Sequence, residues 1–210
     1  DDLLNEVELF ADLTPDEMAA ISAAAAVRTL HRGDVLFVEG DDPNELFVVT
    51  SGRIAISNKS PDGRESVVAL MERGDLFGEM PIFDGQTRSA GARALEASEV
   101  IEIPYGPLRA LYGERPELLW RVVALLAQRL RATDEALADS VFLDVTGRTA
   151  KRLLELAGDK VEFALPVTQE ELAGMVGASR ERVNKAIALF VKLGWIDQME
   201  RRYRILNRPQ

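Results

Sequence analysis

The sequence predicts an α+β chain: an N-terminal antiparallel β unit, one long helix, and a C-terminal helical module that closes on a β-hairpin. Three observations carry that expectation. Between Arg28 and Pro104 the apolar residues come in short, often β-branched runs separated by glycines. From Arg115 to Phe142 they recur at helical spacing without a breaker. Beyond Asp144, short capped helices precede two short strands. With 210 residues, 47% of them hydrophobic, the chain is long enough to bury two modest cores.

Thr14-Pro15-Asp16-Glu17 is a helix start, with Thr14 as N-cap, Pro15 at the first helical position and Glu17 closing a capping box; the Ala-rich helix is expected to reach about Val27. The runs "VLFVEG", "LFVVTSG", "RIAIS", "SVVALM" and "EVIEIP" then predict about eight strands, with turns such as Ser60-Pro61-Asp62-Gly63. In the long helix, Leu119, Leu126, Thr133 and Ser140 recur every seven residues, and Val123, Leu130 and Leu137 interleave. That is a coiled-coil seam with two polar interruptions, and it predicts a parallel homodimer; the plainer alternative is a helix packed only on its own β unit. "FLDVTGR" breaks the helix. Asp144 caps the next one, Val145 to about Ala157, so this stretch is a candidate hinge.

No cysteine is present, which removes disulfides, thiolate nucleophiles, Cys-type zinc sites and cysteine-held iron–sulfur clusters. No P-loop, G-x-S-x-G motif or metal-ligand cluster occurs and there is one histidine, so the chain is not expected to be an enzyme or to carry a metal or other cofactor. No apolar run reaches the roughly 18 residues a membrane span needs, and a soluble cytoplasmic protein is expected. The net charge of −10 is unevenly spread. Residues 1–143 hold 13 basic and 26 acidic side chains, and residues 144–210 hold 12 and 9. A mildly basic C-terminal module can therefore meet a polyanion, because screening over about 8 Å limits how far the acidic part is felt.

That module has a reading head. Thr168-Gln169-Glu170-Glu171 is a second capping box, Gly177 marks a turn and Ser179 caps a further helix. On that helix Val183, Ala186, Ile187 and Phe190 share one arc, and Arg180, Glu181, Asn184 and Lys185 are expected on the opposite one. Arg can address guanine O6 and N7, and a carboxylate can accept from cytosine N4, so the set suits a half-site containing G and C. "GWIDQMERRYRIL" reads as a hairpin wing whose Arg201, Arg202 and Arg204 would meet phosphates. Thr168, Gln169, Ser179, Arg180, Glu181, Asn184, Lys185, Arg201 and Arg202 are the candidate DNA-binding residues.

"GDLFGEMPIFDGQTRSA", "QRLRATDEALADSVFLDVTGR" and "VGASRERVNKAI" together resemble the cyclic AMP receptor protein (CRP/FNR) family of bacterial transcription regulators, over essentially the whole chain. The resemblance implies a β-roll of the double-stranded β-helix type that binds a cyclic nucleotide (residues 1–114), a dimerisation helix and hinge (115–143), and a winged helix-turn-helix domain (144–210). It places a phosphate-binding cassette from Gly78 to Ala90. Within it Arg88 would pair with the cyclic phosphate, Ser89 and nearby backbone N–H groups would complete the anion site, and Glu79 would accept from the ribose 2′-OH. Gly78 would let backbone approach the sugar, and Met80 and Ala90 belong to the same segment. Taken in isolation, Glu79 and Arg88 also suit a simple salt bridge. Thr133 falls where the family's helix contacts the base, and Asp134 where the partner subunit reaches across.

By the same resemblance, Asp134 stands at a position usually filled by a small neutral polar residue. A carboxylate can accept from the adenine amino group, or from guanine N1–H and N2–H together, so cAMP is the leading ligand and cGMP the second. Lys185 stands where the family commonly has Arg. The lone His31 reads as a surface residue, a poor basis for a haem sensor. The expected function is a dimeric regulator in which nucleotide binding places two recognition helices on a palindromic operator, with RNA polymerase as a further partner. A ligand-independent DNA-binding regulator with a vestigial pocket is the rival reading.

Overall fold

The computed structural model describes residues 2–60, 65–199 and 202–208. The expected Ser60–Gly63 turn, beyond Ser60, and Arg201 therefore lie outside the described residues. The chain forms two compact units, residues 1–58 with 68–131 and residues 59–67 with 132–210.

Among the described residues, eight strands make two four-stranded sheets. β1 (Ala26–Leu30), β2 (Val35–Phe37), β3 (Glu45–Ser51), β4 (Ile54–Lys59), β5 (Glu65–Met71), β6 (Leu76–Phe77), β7 (Gly91–Ala94) and β8 (Ser98–Pro104) assemble in the orders β1-β8-β3-β6 and β2-β7-β4-β5. β3 pairs antiparallel with β8 from Glu45↔Pro104 onward, and β7 pairs antiparallel with both β2 and β4. The expected α+β class and antiparallel β unit are observed.

β3 explains its own unbroken apolar run. Leu46 and Val48 face one core with Leu76 and Ile103, while Phe47 and Val49 face a second with Ile54, Phe77, Ala92 and Val100. Side chains alternate across a strand, so a strand covered on both faces has no place for polar residues. Helices cover the first of these faces: α1 (Asp2–Glu6), α2 (Pro15–Ala24), α4 (Tyr105–Glu114) and the start of α5 (Leu119–Phe142) contribute Leu4, Ile21, Leu108 and Val122.

The Thr14 capping box forms as expected, but α2 stops at Ala24 rather than near Val27. Ala25 is already extended, and Ala26 to Leu30 are claimed by pairing with β8, which outweighs the helix preference of alanine. Arg115 then ties α2 to the following turn, donating to Glu17 at 2.8 Å and Glu117 at 2.8 Å. A backbone hydrogen bond at Thr14, with Arg115, holds the Glu17 carboxyl below its usual range.

The long helix serves two faces. Val122, Leu125 and Leu126, with Leu118 just before the helix, pack on the β unit's helical core, so Leu126 of the expected seam is partly covered by its own chain. Leu130 and Leu137 are 61% and 63% exposed, and Leu119 and Val123 are uncovered beside them. The coiled-coil reading thus keeps one row of apolar residues, while the plainer reading accounts for the neighbouring face of the first turns.

Only Leu143 and Asp144 separate α5 from α6 (Val145–Ala157), and Asp144 caps α6 by accepting from Gly147 N at 2.7 Å. The helices α7 (Gln169–Val176) and α8 (Arg180–Lys192) follow β9 (Glu162–Ala164), and β10 (Ile196–Met199) pairs with β11 (Arg202–Ile205) in a three-stranded sheet of order β10-β11-β9. Arg148 joins this module to the hinge by donating to the carbonyls of Leu143 at 2.7 Å and Val176 at 2.9 Å, a cation placed where helix C-termini expose their oxygens. Among the described residues no helix is long and apolar enough to cross a membrane.

Candidate nucleotide cradle and nucleic-acid interface

The cassette is shaped by two glycines. Gly78, at φ +79°, turns the chain out of β6 into the short helix α3 (Met80–Asp84), and Gly85, at φ +69°, ends that helix. The next bend returns to Arg88, whose backbone N donates to Asp41 O at 3.0 Å and whose carbonyl accepts from Gly40 N at 2.8 Å.

Glu79 and Arg88 are both enclosed, 0% and 3% exposed. They do not pair with each other, which disposes of the simple salt-bridge alternative. Arg88 lies over the Phe37 ring at 4.2 Å and donates through Nη1 to Gly78 O at 2.8 Å and Tyr105 OH at 3.1 Å. Its Nη2 donates to the Glu45 backbone O at 2.7 Å and to Glu45 Oε1 at 3.1 Å. Glu79 Oε1 instead accepts from Arg129 of α5, which also reaches Leu76 O. Burial pushes the Tyr105 phenol up to about 12, so it remains a protonated donor; its hydroxyl bonds to Gly78 O.

Two atoms of this cradle stand out. Glu79 Oε2 and Arg88 Nε are buried and have no hydrogen-bond partner. Buried polar atoms are nearly always paired, so one unpaired acceptor and one unpaired donor in the same cassette mark a site built to receive a polar ligand. A diester anion has the chemistry to accept from Arg88 Nε, and a hydroxyl to donate to Glu79 Oε2.

Gly78 also has a steric role within the cradle itself. A Cβ there would lie 2.7 Å from Arg88 Nη1 and 3.4 Å from Phe47. The missing side chain makes room for the guanidinium as well as permitting the positive φ. Gly78→Ala is expected to lower unfolding stability by about 1–2 kcal/mol from the backbone alone, and to displace Arg88 so that nucleotide affinity falls too; thermal unfolding and calorimetry read the two effects.

The remaining predicted ligand residues are less assembled. Ser89 is exposed, its Oγ 3.9 Å from the sulfur of Met80, while Ala90 is buried. Thr133 and Asp134 are exposed on the part of α5 that belongs to the second unit. Sequence reasoning missed Arg129, Tyr105, Phe37 and Glu45. Arg129 lies inside the quoted "QRLRATDEALADS" stretch, and its off-seam position was its only signal.

In the second unit the predicted reading head forms. Thr168 accepts from Glu171 N at 3.1 Å and Glu171 reciprocates, Gly177 turns at φ +68°, and Ser179 caps α8. Val183, Ala186, Ile187 and Phe190 are buried, and Arg180, Glu181 and Lys185 are exposed. Asn184 departs from expectation: it is half-buried, with an unpartnered Oδ1, because at 100° per residue it lies only about 60° from Ile187 on the helix. Lys185 Nζ donates to Glu181 Oε1 at 2.6 Å, and that bond holds the Glu181 carboxyl below its usual range. Arg180 donates to Gln169 Oε1 at 3.5 Å. In the wing, Arg204 and Arg202 face Glu162 at 3.0 and 3.9 Å, so neither is a free cation. His31 is a surface side chain, 90% exposed beside Asp34. Among the described residues no group of His, Asp and Glu could hold a metal ion.

Comparison with known proteins agrees with this division of labour. A model of the cyclic nucleotide-binding domain matches residues 27–115, and one of the Crp-like helix-turn-helix domain matches residues 147–210. A CRP-like cAMP-activated global transcriptional regulator of Mycobacterium tuberculosis is 37% identical over 203 residues, which is 93% of this chain and 91% of that protein. The cAMP-activated global transcriptional regulator CRP of Escherichia coli O157:H7 is 36% identical over 161 residues, covering 73% and 77%. Among solved structures, the c-di-GMP-responsive global regulator CLP of Xanthomonas campestris matches with a TM-score of 0.79 at 26% identity, over 91% of this chain and 99% of that one.

Proposed function

The chain belongs to the CRP/FNR family of transcription regulators, and from that premise we propose that it is a homodimeric, cytoplasmic DNA-binding regulator switched by cAMP, with cGMP as the second candidate. The observation that carries the ligand half of this reading is the cradle's pair of unpartnered buried atoms, Arg88 Nε and Glu79 Oε2. Arg88 receives the cyclic phosphate, and Glu79 accepts from the ribose hydroxyl. Thr133 and Asp134 address the base, with the carboxylate of Asp134 deciding between adenine and guanine.

Signal leaves the cradle through Arg129. It grips Glu79 Oε1 and Leu76 O from a position on α5, so a ligand that takes up Glu79 acts on a residue already bonded to the long helix. A ligand shifts an equilibrium only by its differential contacts with the two states, and this bond is one such contact. The row Leu119, Val123, Leu130 and Leu137 pairs with its copy, and the two-residue link at Leu143–Asp144 lets α5 bias the reading heads. Arg180, Glu181 and Lys185 read bases in the major groove of a palindromic operator, Thr168, Gln169, Ser179 and Arg202 contact the backbone, and RNA polymerase is the further partner.

Fluorescence anisotropy with a palindromic duplex, with and without cAMP, cGMP or c-di-GMP, tests the whole reading. Nucleotide-dependent affinity is the expected outcome, and affinity indifferent to all three would establish the ligand-independent rival. In the same assay Arg180→Ala is expected to cost about 1–3 kcal/mol and relax preference at one position of the half-site.

A further inference from the structure

Part of the shell of Arg88 is an anion that the protein itself supplies. A guanidinium offers a phosphodiester two parallel N–H bonds, and on the open edge these are Nε–H and one Nη2–H. Nε is buried and unpartnered. Its companion Nη2 is engaged twice by Glu45, through the backbone O at 2.7 Å and the carboxylate Oε1 at 3.1 Å. Nη1 is engaged by Gly78 O and Tyr105 OH. Four of the five donors therefore have protein partners, and an incoming phosphate finds half of its docking edge already held.

The four partners differ in how readily they can leave. The carbonyl of Glu45 is fixed by the start of β3, where Glu45 pairs with Pro104. Gly78 O is fixed by the φ +79° turn, and the Tyr105 hydroxyl is bonded to that same carbonyl inside a buried pocket. The Glu45 carboxylate is a side-chain group with access to water, at 27% exposure against 2% for Arg88. It is also the only one of the four that carries a negative charge, and so the only one a phosphate repels.

Resting on the cyclic-nucleotide reading of this cradle, we propose that Glu45 is an internal competitor for the anion site that sets ligand affinity. Its carboxylate stands in for the phosphate on Arg88 in the free protein and must swing toward solvent for a cyclic nucleotide to bind. Occupancy then requires a higher nucleotide concentration than the same cradle would need with a neutral residue at position 45. The handicap falls on the phosphate alone and leaves recognition of sugar and base untouched.

Calorimetric titration of the full chain and of Glu45→Gln with cAMP, cGMP and adenosine tests this. The variant is expected to bind both cyclic nucleotides about tenfold more tightly, 1.4 kcal/mol, with no gain for adenosine, which has no phosphate. Glu45→Ala is expected to move in the same direction, and binding by the variants where the wild type gives no heat would be the same result in stronger form. Equal or weaker binding of cyclic nucleotides by both variants overturns the competitor role, showing that Glu45 only steadies Arg88, and leaves the nucleotide reading standing. A gain that extends equally to adenosine also overturns it. No heat from any of the proteins with either nucleotide overturns this inference together with the reading beneath it.

Discussion

Arg88→Lys is expected to weaken cAMP binding by about 100-fold, because a lysine ammonium cannot place two parallel donors on a diester and loses the stacking on Phe37; charge-assisted hydrogen bonds of this kind are worth about 1.5–3 kcal/mol each. Lysine keeps the positive charge inside the cradle, so Glu45 is not left without a cation. Arg88→Ala removes that charge as well. It strips partners from Gly78 O, Tyr105 OH and both Glu45 oxygens at once, and is expected to cost about 3 kcal/mol of folding stability in addition to abolishing binding. Calorimetry on the lysine variant beside thermal unfolding of the alanine variant separates the two roles. Wild-type affinity in Arg88→Lys would remove the phosphate assignment.

Glu79→Ala should show its largest effect in the choice between sugars. In the wild type, 2′-deoxy-cAMP is expected to bind at least about tenfold more weakly than cAMP, since it offers nothing to the unpartnered Oε2. In Glu79→Ala the two ligands should bind equally and weakly, and operator affinity should no longer respond to either. The loss of response has a separate origin from the loss of affinity: without Glu79, Arg129 loses the bond that ties the long helix to the cassette. A variant that still favours the ribonucleotide would place the hydroxyl acceptor elsewhere.

What could be read in the sequence, and what could not, divides along the range of the interaction. Capping boxes at Thr14 and Thr168, the cap at Asp144 and the turn at Gly177 are decided within four residues, and all of them form. Five of the strands, β2 to β5 and β8, follow runs legible in the same local way, whereas β1 begins in residues expected to be helical. Arg129 meets Glu79 across 50 positions, and Glu45 meets Arg88 across 43, and no local pattern announces either. Glu45 in particular looks like any acidic residue before a strand. Asn184 and Leu126 are more covered than their spacing suggests for a subtler reason: the helical period places each near the edge of an arc, where packing and not spacing decides how far it is enclosed. The wing arginines were visible as charges, but their pairing with Glu162 requires knowing that β9 joins that sheet.

The double-sided burial of β3 limits how this chain can change in length over evolutionary time. Each residue from Leu46 to Val49 serves a different core from its neighbour, so one residue gained or lost within the strand would exchange the two sets wholesale. It would also carry Glu45 off the guanidinium, since that side chain is positioned by the same ladder. Point substitutions can be absorbed here one core at a time, whereas insertions and deletions cannot, and lineages descending from this protein should vary β3 in composition while keeping its residue count fixed.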